Sequence, residues 1–309
     1  KERVAWLSER GCVAAELVSV GGNTFKATAH ANALEVAEPL GFVCDGVEET
    51  PRTEYAHLEH KNVVINGKTV EKSDTVFAVS DLQTRRSSTK APAPFTTATL
   101  QQAASTMLGF SASRTMRTAQ TLYEGADVGE GEGSVGLITY MRTDSTQLSN
   151  DSVNAIRAHV GEAYGEEYLP SKPNVFGKKG KRTQEAHEAV RPSDVRREPS
   201  RLKEHLTSDQ WRLYDLIWRR AVACQMKPAQ WDSTTLLISA PTPRGEAVFK
   251  ASGRQLVFDG YQRVAAQRPS TDVILPPMEV GQRVGRAREL DLGALRGHRR
   301  LQHRVGLGE

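Results

Sequence analysis

The hydrophobic pattern of this chain changes period twice, and those two changes bound the folds it can adopt. Up to about residue 90 the apolar residues fall in short β-leaning runs, FKATAHA (25–31), NVVINGKTV (62–70) and TVFAV (75–79). Asn66-Gly67 reads as a hairpin turn signal. The Pro-punctuated connector KAPAPF (90–95) ends that regime. From there the period is helical. Thr97 can cap a helix with Leu100, Ala103, Ala104, Met107 and Leu108 on one face and Gly109 as its stop. A second helix over 114–124 turns Met116, Ala119, Leu122 and Tyr123 inward and stops at Gly125. After Pro228 the runs STTLLIS (233–239) and EAVFKASGRQLVFDGYQ (246–262) return to β character. A helical block between two β segments predicts an α+β chain, with a helical domain inserted into a β-rich one.

Inside the helical block, GADVGEGEGSVG (125–136) lacks the Lys-Ser/Thr ending of a phosphate-binding loop and reads as a flexible connector. Ser149 can cap a helix carrying Val153, Ile156, Val160 and Ala163, ended by Gly165. A further helix is expected over QEAHEAV (184–190). Thr207 with Gln210 forms a capping box for QWRLYDLIWRRAVACQM (210–226), amphipathic through Leu213, Ile217, Trp218, Ala221 and Val222. Trp211, Tyr214 and Trp218 recur at three to four residues, which is core spacing more often than a base-stacking platform.

Composition excludes several classes. Lys plus Arg number 41 against 37 Asp plus Glu, a net charge of +4, too small an excess to establish nucleic-acid binding by itself. Local clusters at Arg85-Arg86, 177–182 (GKKGKR), Arg196-Arg197 and Arg219-Arg220 can each meet phosphates or simply face water. Cys12, Cys44 and Cys224 form no C-x-x-C pair, which argues against a disulfide framework or zinc ribbon. No run approaches the roughly 18 apolar residues a membrane span needs. The opening KERVAWLSER lacks a signal-peptide layout, so a reducing, cytoplasmic setting is expected.

LITYMRTDS (137–145) holds the chemistry. Its β-branched residues favour an extended stretch, in which residues i and i+2 share a face, so Tyr140 and Arg142 would point the same way. A phenol with a pKa of about 10 is a poor nucleophile at neutral pH. A fixed guanidinium beside it favours the phenolate, holds a phosphate oxygen bidentately and stabilises charge on a pentavalent phosphorus. Asp144 and Ser145 follow, placed to orient the arginine or cap the next element. Taken alone, a Tyr-x-Arg pair is more often an ordinary surface or packing pair. In TQEAHEAVRPSD (183–194) a helix would put Gln184, His187, Glu188 and Arg191 on one face, where His187 and Arg191 could meet a phosphate. A satisfied helical histidine fits the same spacing, and without a second histidine it is no zincin metal site.

Four blocks taken together are more specific. PFTTATLQQAASTMLGFSASRTMRTAQTLYEG (94–125), GLITYMRTDSTQLS (136–149), QEAHEAVRPSD (184–194) and LYDLIWRRAVACQM (213–226) with DSTTL (232–236) closely resemble the same ordered series in bacterial type IA DNA topoisomerases. The resemblance runs from about Pro94 to Gln262. It implies that Tyr140 is the nucleophile that breaks one DNA strand and becomes joined to its 5′ phosphate. Arg142 would position the scissile phosphate, His187 would assist binding or proton transfer, and Asp144 would have a supporting role. DNA contacts would thus come from Arg142, Asp144, His187 and Arg191.

The implied organisation is a helical tyrosine domain over 95–226 set in a β-rich arch formed by 1–94 and 227–285. The tail, 286–309, departs from the family pattern. No ATP is implied. The implied Mg²⁺ would be held by a TOPRIM domain that nothing here resembles, so no metal ligand is expected in this chain. The implied partners are single-stranded and negatively supercoiled DNA, relaxed by strand passage in the whole protein, at the nucleoid. A catalytically incomplete single-strand-binding module is the competing reading. A tyrosine recombinase needs a dispersed Arg-His-Arg set and forms a 3′ linkage, which the ordered blocks do not fit.

Overall fold

The computed structural model describes residues 12–26, 30–51, 61–69, 75–129, 131, 133–176, 188–265, 274–284, 290–291 and 302–306. His187, Gln184 and the basic run at 177–182 lie outside the described residues. The chain divides into two units, one of Lys1–Ser87, Trp231–Gln255 and Thr271–Glu309, the other of Ser88–Gln230 and Leu256–Ser270. Helices and antiparallel sheet together make it α+β, as the two changes of period imply.

The first unit is built on a sheet. Its strands are β1 (Cys12–Val20), β2 (Asn23–Thr24), β5 (Phe77–Thr89), β8 (Ala229–Thr242), β9 (Gly245–Phe258), β10 (Arg283–Val284), β11 (Leu290–Asp291) and β12 (Gln302–Gly306). They pair in the order β10-β5-β8-β9-β1-β12-β11, with β2 against β1. Alternation works as a two-sided sheet demands. Leu236, Ile238 and Ala240 of β8 and Ala247, Phe249 and Ala251 of β9 are buried in one core with Val13, Ala15 and Leu17 of β1. In the tail, where the family pattern stops, β12 pairs antiparallel with β1.

Two expectations fail in this unit. Of FKATAHA, the described Phe25 and Lys26 lie in no strand, and His30 and Ala31 open a helix, α1 (His30–Ala37), whose Ala33, Val36 and Ala37 form a stripe at helical spacing that packs into the sheet core. Asn66-Gly67 makes no hairpin turn. Strand β4 (Lys61–Thr69) runs straight through it against β3 (Phe42–Pro51), and the irregularity lies in the partner, where the register shifts between Cys44 and Gly46. An extra residue opposite the pair absorbs the local twist as a bulge.

The second unit is helical. Helix α2 (Thr97–Leu108) is capped one residue earlier than expected, by Thr96, whose hydroxyl accepts from the Thr99 N–H; Gly109 closes it with φ 71°. Met107 is 46% exposed rather than inward, on the last turn. Ser111 caps α3 (Ala112–Glu124), Ser149 caps α4 (Asn150–Tyr164), and Pro199 opens the single turn α5 (Pro199–Leu202). The Thr207–Gln210 capping box opens α6 (Ser208–Cys224) as expected. The Gly-rich connector forms a small ribbon of β6 (Ala126–Asp127) and β7 (Ser134–Val135). One core gathers Phe95, Leu100, Leu122, Leu137, Met141 and Tyr214 among others. The α6 aromatics are structural. Tyr214 and Trp218 are buried and donate to the Arg197 and Val195 carbonyls at 2.7 and 2.8 Å, while half-buried Trp211 donates to the Pro199 carbonyl at 2.8 Å.

Candidate functional site

The segment bearing Tyr140 belongs to no strand, and its backbone bends at Thr139 and Met141, so the extended stretch expected from its β-branched residues is broken on both sides of Tyr140. Ile138 makes an isolated antiparallel bridge to Pro192. From Tyr140 onward exposure alternates: Tyr140, Arg142 and Asp144 are exposed, whereas Met141, Thr143 and Ser145 are buried. This period of two puts the phenol and the guanidinium on the solvent side of a backbone whose other face is anchored. Met141 is fully buried in the helical core. Thr97, the first residue of α2, donates its hydroxyl to the Met141 carbonyl at 2.7 Å, and its N–H to the Thr143 carbonyl at 2.8 Å. The Thr143 N–H returns a bond to the Thr97 hydroxyl at 2.8 Å. The helix start thus grips the backbone on both sides of Arg142.

The opposite flank is held by the RPSD segment. Thr139 N–H donates to the Arg191 carbonyl at 2.9 Å, and the Arg191 N–H donates to the Thr139 hydroxyl at 3.1 Å. Ser193 N–H donates to the Leu137 carbonyl at 2.9 Å. These bonds replace the helix expected over QEAHEAV, as far as that stretch is described. Glu188 and Ala189 are not helical, and Val190 bridges Phe95, its N–H donating to the Phe95 carbonyl at 2.8 Å. Neighbouring extended backbone offers Ala189, Val190 and Arg191 partners that an isolated helix would forfeit.

Glu188 and Arg191 still meet. Arg191 Nε donates to Glu188 Oε2 at 2.7 Å, one Arg191 terminal nitrogen donates to the Pro192 carbonyl at 2.9 Å, and the Arg191 side chain is only 16% exposed. The other Glu188 oxygen accepts from the Ser149 N–H at 2.8 Å, at the cap of α4. Burial works to raise the Glu188 carboxyl. The hydrogen bonding from Ser149 and the Arg191 guanidinium outweigh it and hold the group below the ordinary carboxylate value.

Tyr123, expected inward, is 41% exposed at the end of α3 and meets Tyr140, itself 39% exposed. Their ring centroids lie 5.3 Å apart with an interplanar angle of 67°, an edge-to-face pair. The chain leaving β7 creates this contact by crossing the last turn of α3. Leu137 N–H donates to the Leu122 carbonyl at 2.7 Å, and a Cβ added to Gly136 would sit 2.8 Å from the Tyr123 carbonyl oxygen. Only a glycine permits that approach. A glycine directly before LITYMRTDS was the one sequence signal for it.

Among the described residues, arginines of the basic clusters are largely committed to structure. Arg86 grips Asp232 with two bonds of 2.9 Å, and Arg196 grips Asp194 similarly. Arg219 pairs with Asp215, and Arg220 lies 4.2 Å over the Phe95 ring, where burial lowers its pKa. Among the described residues no group of three His, Cys, Asp or Glu side chains gathers to hold a metal ion, and no helix is long and apolar enough to cross a membrane.

The family model for DNA topoisomerase matches residues 42–293. The DNA topoisomerase 1 of Pasteurella multocida is 48% identical over 213 residues, covering 67% of this chain and 22% of the relative. That of Escherichia coli is 47% identical over 201 residues, covering 64% and 21%. The solved structure of full-length topoisomerase I from Thermotoga maritima aligns with a TM-score of 0.56 at 30% identity, over 87% of this chain and 42% of that one. The chain therefore spans about a fifth of the length of these curated relatives.

Proposed function

The chain belongs to the type IA DNA topoisomerase family, and from that premise we propose that it carries the tyrosine half of a single-strand DNA cleavage site, with Tyr140 as nucleophile. One observation carries the proposal. Tyr140 and Arg142 are exposed on a segment whose intervening residue, Met141, is fully buried, so both reactive groups face solvent from a fixed backbone.

In the first step the Tyr140 oxygen attacks the scissile phosphorus as its proton leaves. The 3′ oxygen departs and takes up a proton, leaving a 5′-phosphotyrosine bond. In the second step the 3′ hydroxyl attacks that phosphorus and the phenolate leaves. One phosphodiester is exchanged for another in each direction, so no ATP is consumed. Arg142 would hold the non-bridging oxygens with its planar fork and stabilise the added charge of the pentavalent state. Asp144, exposed two residues on, would orient that arginine. His187 would serve binding or proton transfer. Arg191, whose guanidinium is engaged by Glu188 and the Pro192 carbonyl, would offer DNA only its remaining outward donors.

The described residues do not fit a Mg²⁺ site, and none of these steps is routed through a metal. The ion expected for the family would be held by carboxylates elsewhere in the whole protein. There the substrate would be negatively supercoiled DNA, relaxed by passing a strand through the break, in the cytoplasm at the nucleoid.

Covalent trapping tests this. The chain is mixed with a labelled single-stranded oligonucleotide and Mg²⁺, with and without a TOPRIM domain supplied in trans, and quenched with detergent. A 5′-linked adduct mapped to Tyr140 and lost in Tyr140→Phe is expected when the added domain is present. Single-strand binding, which does not need the phenolic oxygen, should remain. An adduct on another residue would remove Tyr140 as the nucleophile, and none under either condition would leave at most a strand-binding module.

A further inference from the structure

We propose that Tyr123 forms a stacking subsite for an unpaired nucleobase beside Tyr140, so that the site selects single-stranded DNA through a base as well as through phosphates. The inference rests on the reading that a DNA strand is bound at Tyr140. The neighbouring Leu122 is fully buried, yet Tyr123 is 41% exposed and holds an aromatic face at the surface beside Tyr140. Its ring meets the Tyr140 ring at 67° rather than in parallel. One flat base therefore cannot stack on both. A base lying on the Tyr123 ring leaves the Tyr140 phenol set across its edge. The ring centroids lie only 5.3 Å apart, so a nucleotide stacked on Tyr123 lies beside Tyr140. A strand that stacks on Tyr123 thus delivers an adjacent phosphate towards Tyr140 and Arg142.

The arrangement is built in rather than incidental. Gly136 lets the tyrosine segment cross α3 at a distance no side chain would allow, and the Leu137–Leu122 bond of 2.7 Å fixes the crossing. A base in a duplex is already stacked and paired, so it reaches Tyr123 only after paying to leave the helix, whereas an unpaired base does not. Aromatic faces accept any base, so the subsite imposes strandedness and little sequence preference.

The test uses the full chain and a short single strand with 2-aminopurine at successive positions, whose fluorescence is quenched on stacking. Tyr123→Leu keeps an apolar side chain without an aromatic face, and Tyr123→Phe keeps the face without the hydroxyl. The expected result is about a tenfold loss of affinity in Tyr123→Leu, with quenching lost at one position. Tyr123→Phe should stay within about twofold, and the slope of affinity against salt should be unchanged, because no phosphate contact is removed. Equal binding by wild type and Tyr123→Leu would overturn the subsite, as would equal losses in the two variants. An adduct on Tyr140 with binding indifferent to Tyr123 would sink the subsite alone. Tyr123-dependent quenching, with no adduct in the trapping assay that includes the TOPRIM domain, would sink the nucleophile and keep the subsite. No binding to single strands by the wild type would remove both.

Discussion

Replacing Gly136 with Ala is the sharpest test of how this site is assembled. The added Cβ would sit 2.8 Å from the Tyr123 carbonyl oxygen, a backbone atom that cannot swing aside as a side chain would. Relief requires the segment to lift off α3, and that lift pulls on two bonds. One is the 2.7 Å bond from Leu137 N–H to the Leu122 carbonyl, between two fully buried residues. The other is the 2.6 Å bond from the Ser193 hydroxyl to the Gly136 carbonyl. Overpacking of this kind costs about 1–3 kcal/mol, and weakening a buried backbone bond adds about 1 kcal/mol. For a unit of this size, a loss of about 2–4 kcal/mol lowers Tm by roughly 4–16 °C. The same lift separates Tyr123 from Tyr140, so single-strand binding and adduct formation should fall even at temperatures where the variant is fully folded. Thermal unfolding followed by circular dichroism gives the first number, and binding and trapping well below Tm give the second. Gly46→Ala, where a Cβ meets nothing within 4 Å, is the control and should melt like the wild type. If Gly136→Ala melts like that control and traps DNA normally, the close crossing does not build the site and the reasoning fails.

Arg142→Lys should reduce adduct formation by at least about tenfold while binding falls much less, because an ammonium cannot copy the planar two-point grip on a phosphate; undiminished trapping would remove Arg142 from the chemistry. Glu188→Gln should lower Tm at pH 7 by loosening the junction of Ser149 with Arg191. The carboxyl is held below its ordinary value in the folded chain, so its contribution is present above about pH 4.5 and disappears as the pH falls through the depressed value. The difference in Tm between wild type and Glu188→Gln should therefore close on acidification; a constant difference would mean that the charge of Glu188 contributes nothing.

How much of this was legible in the sequence depends on which interactions set each feature. Ser149, the Thr207–Gln210 box and the apolar stripe of α6 were readable, because a cap and a helical period are settled within a few residues. The alternation that exposes Tyr140 and Arg142 was readable, although the backbone that carries it bends at Thr139 and Met141 instead of running extended as the β-branched residues suggested. The helix expected over QEAHEAV fails at Glu188–Val190 because spacing cannot see that Gln147 and Phe95 offer backbone carbonyls there. Asn66-Gly67 misled in the same way, since the partner strand takes up the irregularity.

Tyr123 is the instructive case. It follows Leu122 in the last turn of α3, where one residue of rotation separates a fully buried side chain from an exposed one. Helical periodicity therefore cannot decide its side. What decides it is the segment that crosses the helix end, and the crossing is enforced by the absence of a Cβ at Gly136. The information was present as a single glycine, but its meaning depends on a carbonyl oxygen thirteen positions earlier in the chain. No local pattern pairs those two positions, so the contact between Tyr123 and Tyr140 emerges only when the chain is folded.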